Sequence, residues 1–248
     1  MATARLKLPP TDPTEYPVSD DVGEDSLQRF IAELLRPLLE QLCASRRETA
    51  FVGADQFIYW KQFAPKKSLA PDVYVLPGVS PKRRVRVWKV WETGIVPSFA
   101  LEVVSDDDRK DTEDSPRRYD ELGVGELVIF DPDHRARRDG VRFRVYRRLP
   151  RRGLVLVEAT NEDRVRSKAL SCWLRAVGAG DATRLRVGLG PRGEKLMPTD
   201  AERAEEAAER ADRAAERADR AAERADKAEA ELAALRARLA KAERRKQR

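Results

Sequence analysis

A chain of 248 residues has room for one ordinary domain and an appendage, and a formal net charge of +6 favours a polyanionic partner. One histidine, His134, excludes a multi-histidine zinc site, and no apolar run approaches the ~20 residues of a membrane span. Cys43 and Cys172 lie in apolar contexts without metal-type spacing, so they read as reduced, buried thiols of a cytosolic (cytoplasmic) protein.

Residues 1–22 carry Pro9, Pro10, Pro13 and Pro17 and read as a flexible arm, not a signal peptide. From residue 24 to 43 a helix is expected. Leu27, Phe30, Ile31, Leu34, Leu35, Leu38 and Leu42 recur at three and four and make one apolar face. Pro37 inside that pattern predicts a kink or a restart. Short strands are expected at 49–52 and 56–60, with Asp55 in the turn between them. Residues 68–77 form another apolar strand, with Asp72 at its start behind the stiff Pro71. A basic excursion fills 78–96, where Lys82, Arg83, Arg84, Arg86 and Lys89 are interleaved with Trp88 and Trp91. Such a loop suits a phosphate backbone; the alternative is a solvated loop pinned by its tryptophans.

Residues 96–105 read as a buried strand that contains one misfit, Glu102. The polar run 105–110, with three aspartates in a row, is a solvated turn or the source of a further metal ligand. A helix is expected over 111–122. It starts at Asp111 or at Ser115-Pro116 and stops at Gly123. A strand at 126–131 and a hairpin built from 141–147 and 154–158 follow. The segment 161–190 is weaker, with Leu170 and Trp173 in the core and 185–187 as a last edge strand. The globular domain thus spans 23–190, and 191–200 reads as a linker.

Residues 201–248 are a different object. Ala-Glu-Arg-Ala-Asp-Arg-Ala repeats with period seven. A seam runs from Ala204 through Ala211, Ala218 and Ala225 to Leu232, Leu235 and Leu239. That is a coiled-coil pattern, supported by Glu–Arg pairs four apart, and it predicts a homo-oligomer, a dimer, held most tightly at the leucines. A single solvated helix is the alternative.

A carboxylate inside an apolar strand costs several kcal/mol unless it is neutralised, about the desolvation penalty of a buried ion. Glu102 therefore lies either on a wet strand face or in a site. Asp72 starts another apolar strand about thirty residues earlier, where its bland role is that of a residue following a proline turn. Two such carboxylates make a clamp for a hard cation such as Mg²⁺.

Pro71-Asp72-Val73, the run Leu101-Glu102-Val103-Val104-Ser105, Asp111, Tyr119 and the stretch from Leu122 to Pro132 resemble the Uma-type family of restriction endonucleases, within the PD-(D/E)XK nuclease superfamily. The resemblance covers roughly 22–190. It implies an α/β fold, a restriction-endonuclease-like mixed central sheet flanked by helices, to which this chain adds the long C-terminal coiled-coil helix. It also implies Mg²⁺- or Mn²⁺-dependent hydrolysis of DNA, with Asp72 and Glu102 holding the metal. Glu24 matches an acidic residue at the front of the family's first helix, and a helix-dipole role is its alternative.

The lysine departs from the pattern. The superfamily places it two residues after the second acid, where this chain has Val104. The Uma-type family places it on the next helix, where this chain has Ser115. Lys110 is a nearby substitute; Arg117 and Arg118, always protonated, are poor proton shuttles. Three readings follow: a metal-dependent DNA endonuclease, a catalytically inactive nuclease fold that binds DNA, and a scaffold assembled through its coiled coil.

Overall fold

The computed structural model describes residues 26–104, 114–136 and 140–246, the side chains of residue 26 and of residues from 238 onward excepted. The polypeptide forms two compact units, 1–197 and 198–248.

The first unit is mixed α/β, built on a six-stranded sheet with the order β1-β4-β6-β7-β8-β9. These strands are Ala50–Gly53, Val73–Pro77, Phe99–Val103, Glu126–Phe130, Phe143–Leu149 and Gly153–Thr160. β6 and β7 pair in parallel, and every other pairing is antiparallel. Both faces of the central strands are covered, so the strands read as continuous apolar runs.

One face carries Val73, Val75, Phe99, Leu101, Val103, Val128 and Phe130. Helix α1, Ser26–Ser45, packs here through Ile31, Leu35, Leu38 and Leu42. The helix continues through Pro37 as one element, where the sequence predicts a kink or restart. Leu35 before the proline and Leu38 and Leu39 after it are all buried against the core, and this packing offsets the lost backbone bond.

The same core receives a four-stranded antiparallel sheet, β10 to β13: Arg164–Ser167, Cys172–Val177, Arg184–Leu189 and Lys195–Leu196. The sequence shows this region only faintly, for a physical reason. Arg164, Arg166, Arg175 and Arg186 alternate with Val165, Leu174, Leu185 and Val187, so only one side of the sheet is apolar. The stretch 185–187, expected at an edge, lies in β12 between β11 and β13. Leu170 is buried as expected, whereas Trp173 is only half-buried. The stretch 191–200, expected as a linker, contributes β13. Cys43 and Cys172 are buried free thiols.

The opposite face of the main sheet carries Tyr74, Leu76, Ala100, Leu127 and Ile129. It is covered by α3, Ser115–Leu122, and by a small sheet ordered β3-β2-β5, which supplies Ile58, Leu69 and Trp88. Those strands are Ile58–Tyr59 (β2), Ser68–Leu69 (β3) and Trp88–Lys89 (β5); the short helix α2, Val90–Thr93, follows β5. The start of α3 is at Ser115-Pro116, the second of the two expected starts; 111–113 fall outside the described residues. Gly123 ends α3 at φ 93°, with its N–H bonded to the Tyr119 and Asp120 carbonyls. At Gly125 a Cβ would meet the Ser98 carbonyl oxygen at 2.7 Å, so only glycine lets the start of β7 lie this close to β6.

The second unit is the helix α4, Asp200–Lys246. Its start is a reciprocal capping box. The Glu202 N–H donates to Thr199 Oγ1 at 3.2 Å, and the Thr199 N–H donates to Glu202 Oε2 at 2.8 Å. Two of the expected four-apart pairs form, Arg213–Glu209 at 2.7 Å and Arg220–Glu216 at 3.6 Å. Leu232 and Leu235 are 49% and 58% exposed within the single chain. No helix among the described residues is long and apolar enough to cross a membrane.

Candidate active site

The antiparallel register of β4 and β6 pairs Val73 with Leu101 and Tyr74 with Ala100. Continued by one step, it sets Asp72 opposite Glu102. Alternation along both strands then sends the two side chains to the face covered by α3, because Tyr74, Ala100 and Val104 already point there. Both acids are half-buried.

Asp72 is held at its base by the chain before it: Pro71 is buried, and its carbonyl accepts the Asp55 N–H at 2.9 Å. The carboxylate reaches across to β6, where Oδ2 accepts the Val103 N–H at 2.5 Å. That bond brings it beside the residue that follows Glu102. Glu102 Oε1 in turn accepts the hydroxyl of Tyr119 from α3.

Tyr119 is fully buried. Burial first, then the charge and hydrogen bond of Glu102, then the charge of Asp72, push its phenol well above the usual range, with Arg118 opposing. The phenol therefore stays protonated and acts as a fixed donor. Its position is set by two ties between α3 and the small sheet. Arg118 Nη2 donates to the Ser68 carbonyl, and Lys67 Nζ meets Glu121 Oε2 at 2.5 Å. The sequence marks Tyr119 as part of the resemblance and gives it no role. Its signal is a tyrosine on the buried face of a short helix that is otherwise charged, Arg117-Arg118-Tyr119-Asp120-Glu121.

The two lysine-replacing residues are both enclosed. Val104 belongs to the apolar layer and donates its N–H to the Phe130 carbonyl at 2.9 Å; Ser115 is buried at the start of α3. Glu24, Lys110, Asp111 and the aspartates at 106–108 lie outside the described residues. Among the described residues no cluster of three or more His, Cys, Asp or Glu forms a metal site. Two carboxylates still suit Mg²⁺, which keeps water ligands and takes further oxygens from a substrate phosphate. His134 lies in a one-turn 3-10 helix at 134–136, where burial first and then Arg142 hold its imidazole below the usual range.

A mixed α/β domain with two acids directed to one side of its central sheet is the class that this geometry defines. Residues 15–176 match the Uma2 family, described as "Putative restriction endonuclease". The chain belongs to that family. No curated protein matches it. Among solved structures it is similar to a chain from Anabaena variabilis ATCC 29413, titled a "putative nuclease belonging to DUF820", at 15% identity and a TM-score of 0.43, over 60% of this chain and 75% of that one.

Proposed function

We propose that this chain is a metal-dependent DNA endonuclease whose site is built on Asp72 and Glu102. The observation that carries the reading is the strand register that sets Asp72 opposite Glu102 on the face covered by α3, where Glu102 accepts the Tyr119 O–H. The chemistry supplied by a bound Mg²⁺ or Mn²⁺ is polarisation of the scissile phosphate and acidification of a water. Asp72 and Glu102 hold that ion, Val103 N–H and Tyr119 fix their orientations, and Glu24 adds a third acid. Lys110 takes the place of the lysine absent at Val104 and Ser115, so cleavage is slow. A dimer formed along α4 presents two such sites to two strands, and the buried free thiols suit the cytosol.

Enclosure of Val104 and Ser115 favours a second reading, a nuclease fold that has lost catalysis and binds DNA, or serves as a scaffold. Plasmid nicking in Mg²⁺ or Mn²⁺ separates the two. Asp72→Ala and Glu102→Ala are expected to lower the rate about 10³-fold, the scale of several kcal/mol of metal-assisted stabilisation. Equal nicking by parent and variants would discard the site, and a salt-independent affinity for DNA would leave the scaffold reading. Sedimentation tests the dimer: Leu232→Ala with Leu235→Ala is expected to give monomers, because the alanine section buries too little area to hold the pair.

A further inference from the structure

The register of the small sheet brings together two parts of the chain that the sequence keeps apart. β2 pairs antiparallel with β3 through Ile58–Leu69 and parallel with β5 through Ile58–Trp88. β3 and β5 therefore run in opposite directions, two strand spacings or about 10 Å apart. The chain leaves β3 towards Asp72 at the same end at which Arg86 leads into β5. Two hydrogen bonds mark that end: the Asp55 N–H donates to the Pro71 carbonyl at 2.9 Å, and the Trp88 N–H to the Phe57 carbonyl at 2.8 Å.

The arm that arrives there is basic and held in place. Lys82, Arg83, Arg84 and Arg86 are exposed, and none has a carboxylate partner within ion-pair distance among the described residues. Val79 and Val85 pack into the apolar layer and anchor the arm from below. Trp88 is buried and spends its indole N–H on the Ile95 carbonyl at 2.9 Å, so it is an anchor and offers no face for stacking a base. Arg83 lies over that indole, 5.1 Å from its centroid. Between residues 61 and 89 the only acid is Asp72 itself. The end that Arg86 reaches thus carries exposed positive charge, with Trp88 buried as an anchor, on the side of the small sheet where the chain runs on to Asp72, the residue before β4.

From this juxtaposition we infer that Lys82, Arg84 and Arg86 form the surface that grips the phosphate backbone of duplex DNA and delivers it, without regard to sequence, to the end of the small sheet where Asp72 lies. The inference rests on DNA as the substrate, yet its test does not need cleavage. The full chain is titrated against a fluorescein-labelled duplex of mixed sequence in EDTA, at several salt concentrations. Replacing all three by glutamine (K82Q, R84Q, R86Q) is expected to weaken binding at least tenfold near 0.1 M salt. It should also reduce the slope of log K against log salt by about 2.7, at ~0.9 per lost contact.

R84K with R86K, which keeps the charge, is expected to retain the parental slope and also guards against a folding defect. Arg151 and Arg152 are exposed in the β8–β9 turn, at the far edge of the main sheet from β4, and R151Q with R152Q, which removes two positive charges there, is the control, expected to bind within twofold of the parent. An unchanged slope in the triple variant, an equal loss in the control, or a parent that binds no duplex would overturn the inference. So would a single-stranded RNA that displaces the duplex at equal length. If the triple variant loses binding while Asp72→Ala and the parent nick alike, the gripping surface stands and the endonuclease reading falls.

Discussion

Two glutamates in adjacent strands of one sheet meet opposite fates. Glu126, at the start of β7, is 2% exposed on the side of the main sheet that packs against β10–β13. Arg147 Nε meets its carboxylate at 2.8 Å, Ser167 Oγ donates to it, and the Lys168 N–H donates at 3.0 Å. Glu102, in β6, faces the other side and accepts a bond from a neutral phenol whose protonation is reinforced by a second carboxylate. A buried acid neutralised by a guanidinium joins structural elements. A half-buried acid that lies opposite another acid and is bonded only by a neutral hydroxyl suits a cation that arrives later. The charge of the partners separates the two cases.

The largest expected effect on stability belongs to the structural member. Glu126→Gln strands a guanidinium that is only 16% exposed, and breaking such a pair costs about 3 kcal/mol. For a unit of this size that corresponds to a fall in Tm of roughly 6–12 °C. Glu102→Gln keeps an acceptor for Tyr119 and is expected to change stability by less than about 1 kcal/mol. Calorimetry on the two variants checks the contrast. A Glu102→Gln variant as destabilised as Glu126→Gln would make Glu102 a structural residue and undo the comparison.

A smaller effect separates orientation from ligation. Tyr119→Phe removes the donor that fixes Glu102 and leaves both carboxylates in place. The divalent-ion concentration for half-maximal nicking is expected to rise about tenfold, the low end for groups that orient metal ligands, with about 1 kcal/mol lost in stability. If the rate at saturating metal falls and the metal dependence does not move, Tyr119 acts on the substrate and not through Glu102.

The difference between the two glutamates was only half legible in the sequence. Glu102 stands out because Leu101 and Val103 flank it in a strand covered on both faces. Its approach to Asp72 follows from a register that sequence spacing does not state. Glu126 escapes notice because it is only the first residue of its expected strand, after Gly125, and its partners come 21 and 41 residues later on strands whose pairing is long-range. The sheet that carries Ser167 was itself faint, because arginines alternate with its apolar residues. The small sheet was legible only in part: β2 lies within the expected strand 56–60, β3 was merged with β4 in the expected strand 68–77, and the two-residue β5 carries no periodicity. Helices α1 and α4 were plain, since a repeat of three and four over twenty or more residues lays one continuous stripe along a helix and matches no strand.

The smallest effect distinguishes the faces by pH. Each glutamate has a neutral protic group nearby: Tyr119 beside Glu102, and Cys172 on the Glu126 side. Burial, with Glu126 adding to it against Arg46 and Arg166, pushes the Cys172 thiol up to about 12. An unfolded thiol titrates near 9.0, so above that pH the unfolded chain releases a proton that the native chain keeps. Stability is therefore full below pH about 9 and falls towards 12, by up to ~1.4 kcal/mol per pH unit for one proton. Tyr119, raised from 10.0, has the same sign, and its loss begins one unit higher. Urea unfolding at a series of pH values is expected to show a decline from about pH 9 that Cys172→Ala makes shallower from its onset, Cys43, which burial also raises, supplying the remainder. Tyr119→Phe should make it shallower only above about 10, where Tyr74 and Tyr146, also raised by burial, still contribute. A parent whose stability is level from pH 8.5 to 11 would mean that neither group is held neutral, and Tyr119 would then have no claim to be the fixed donor on Glu102.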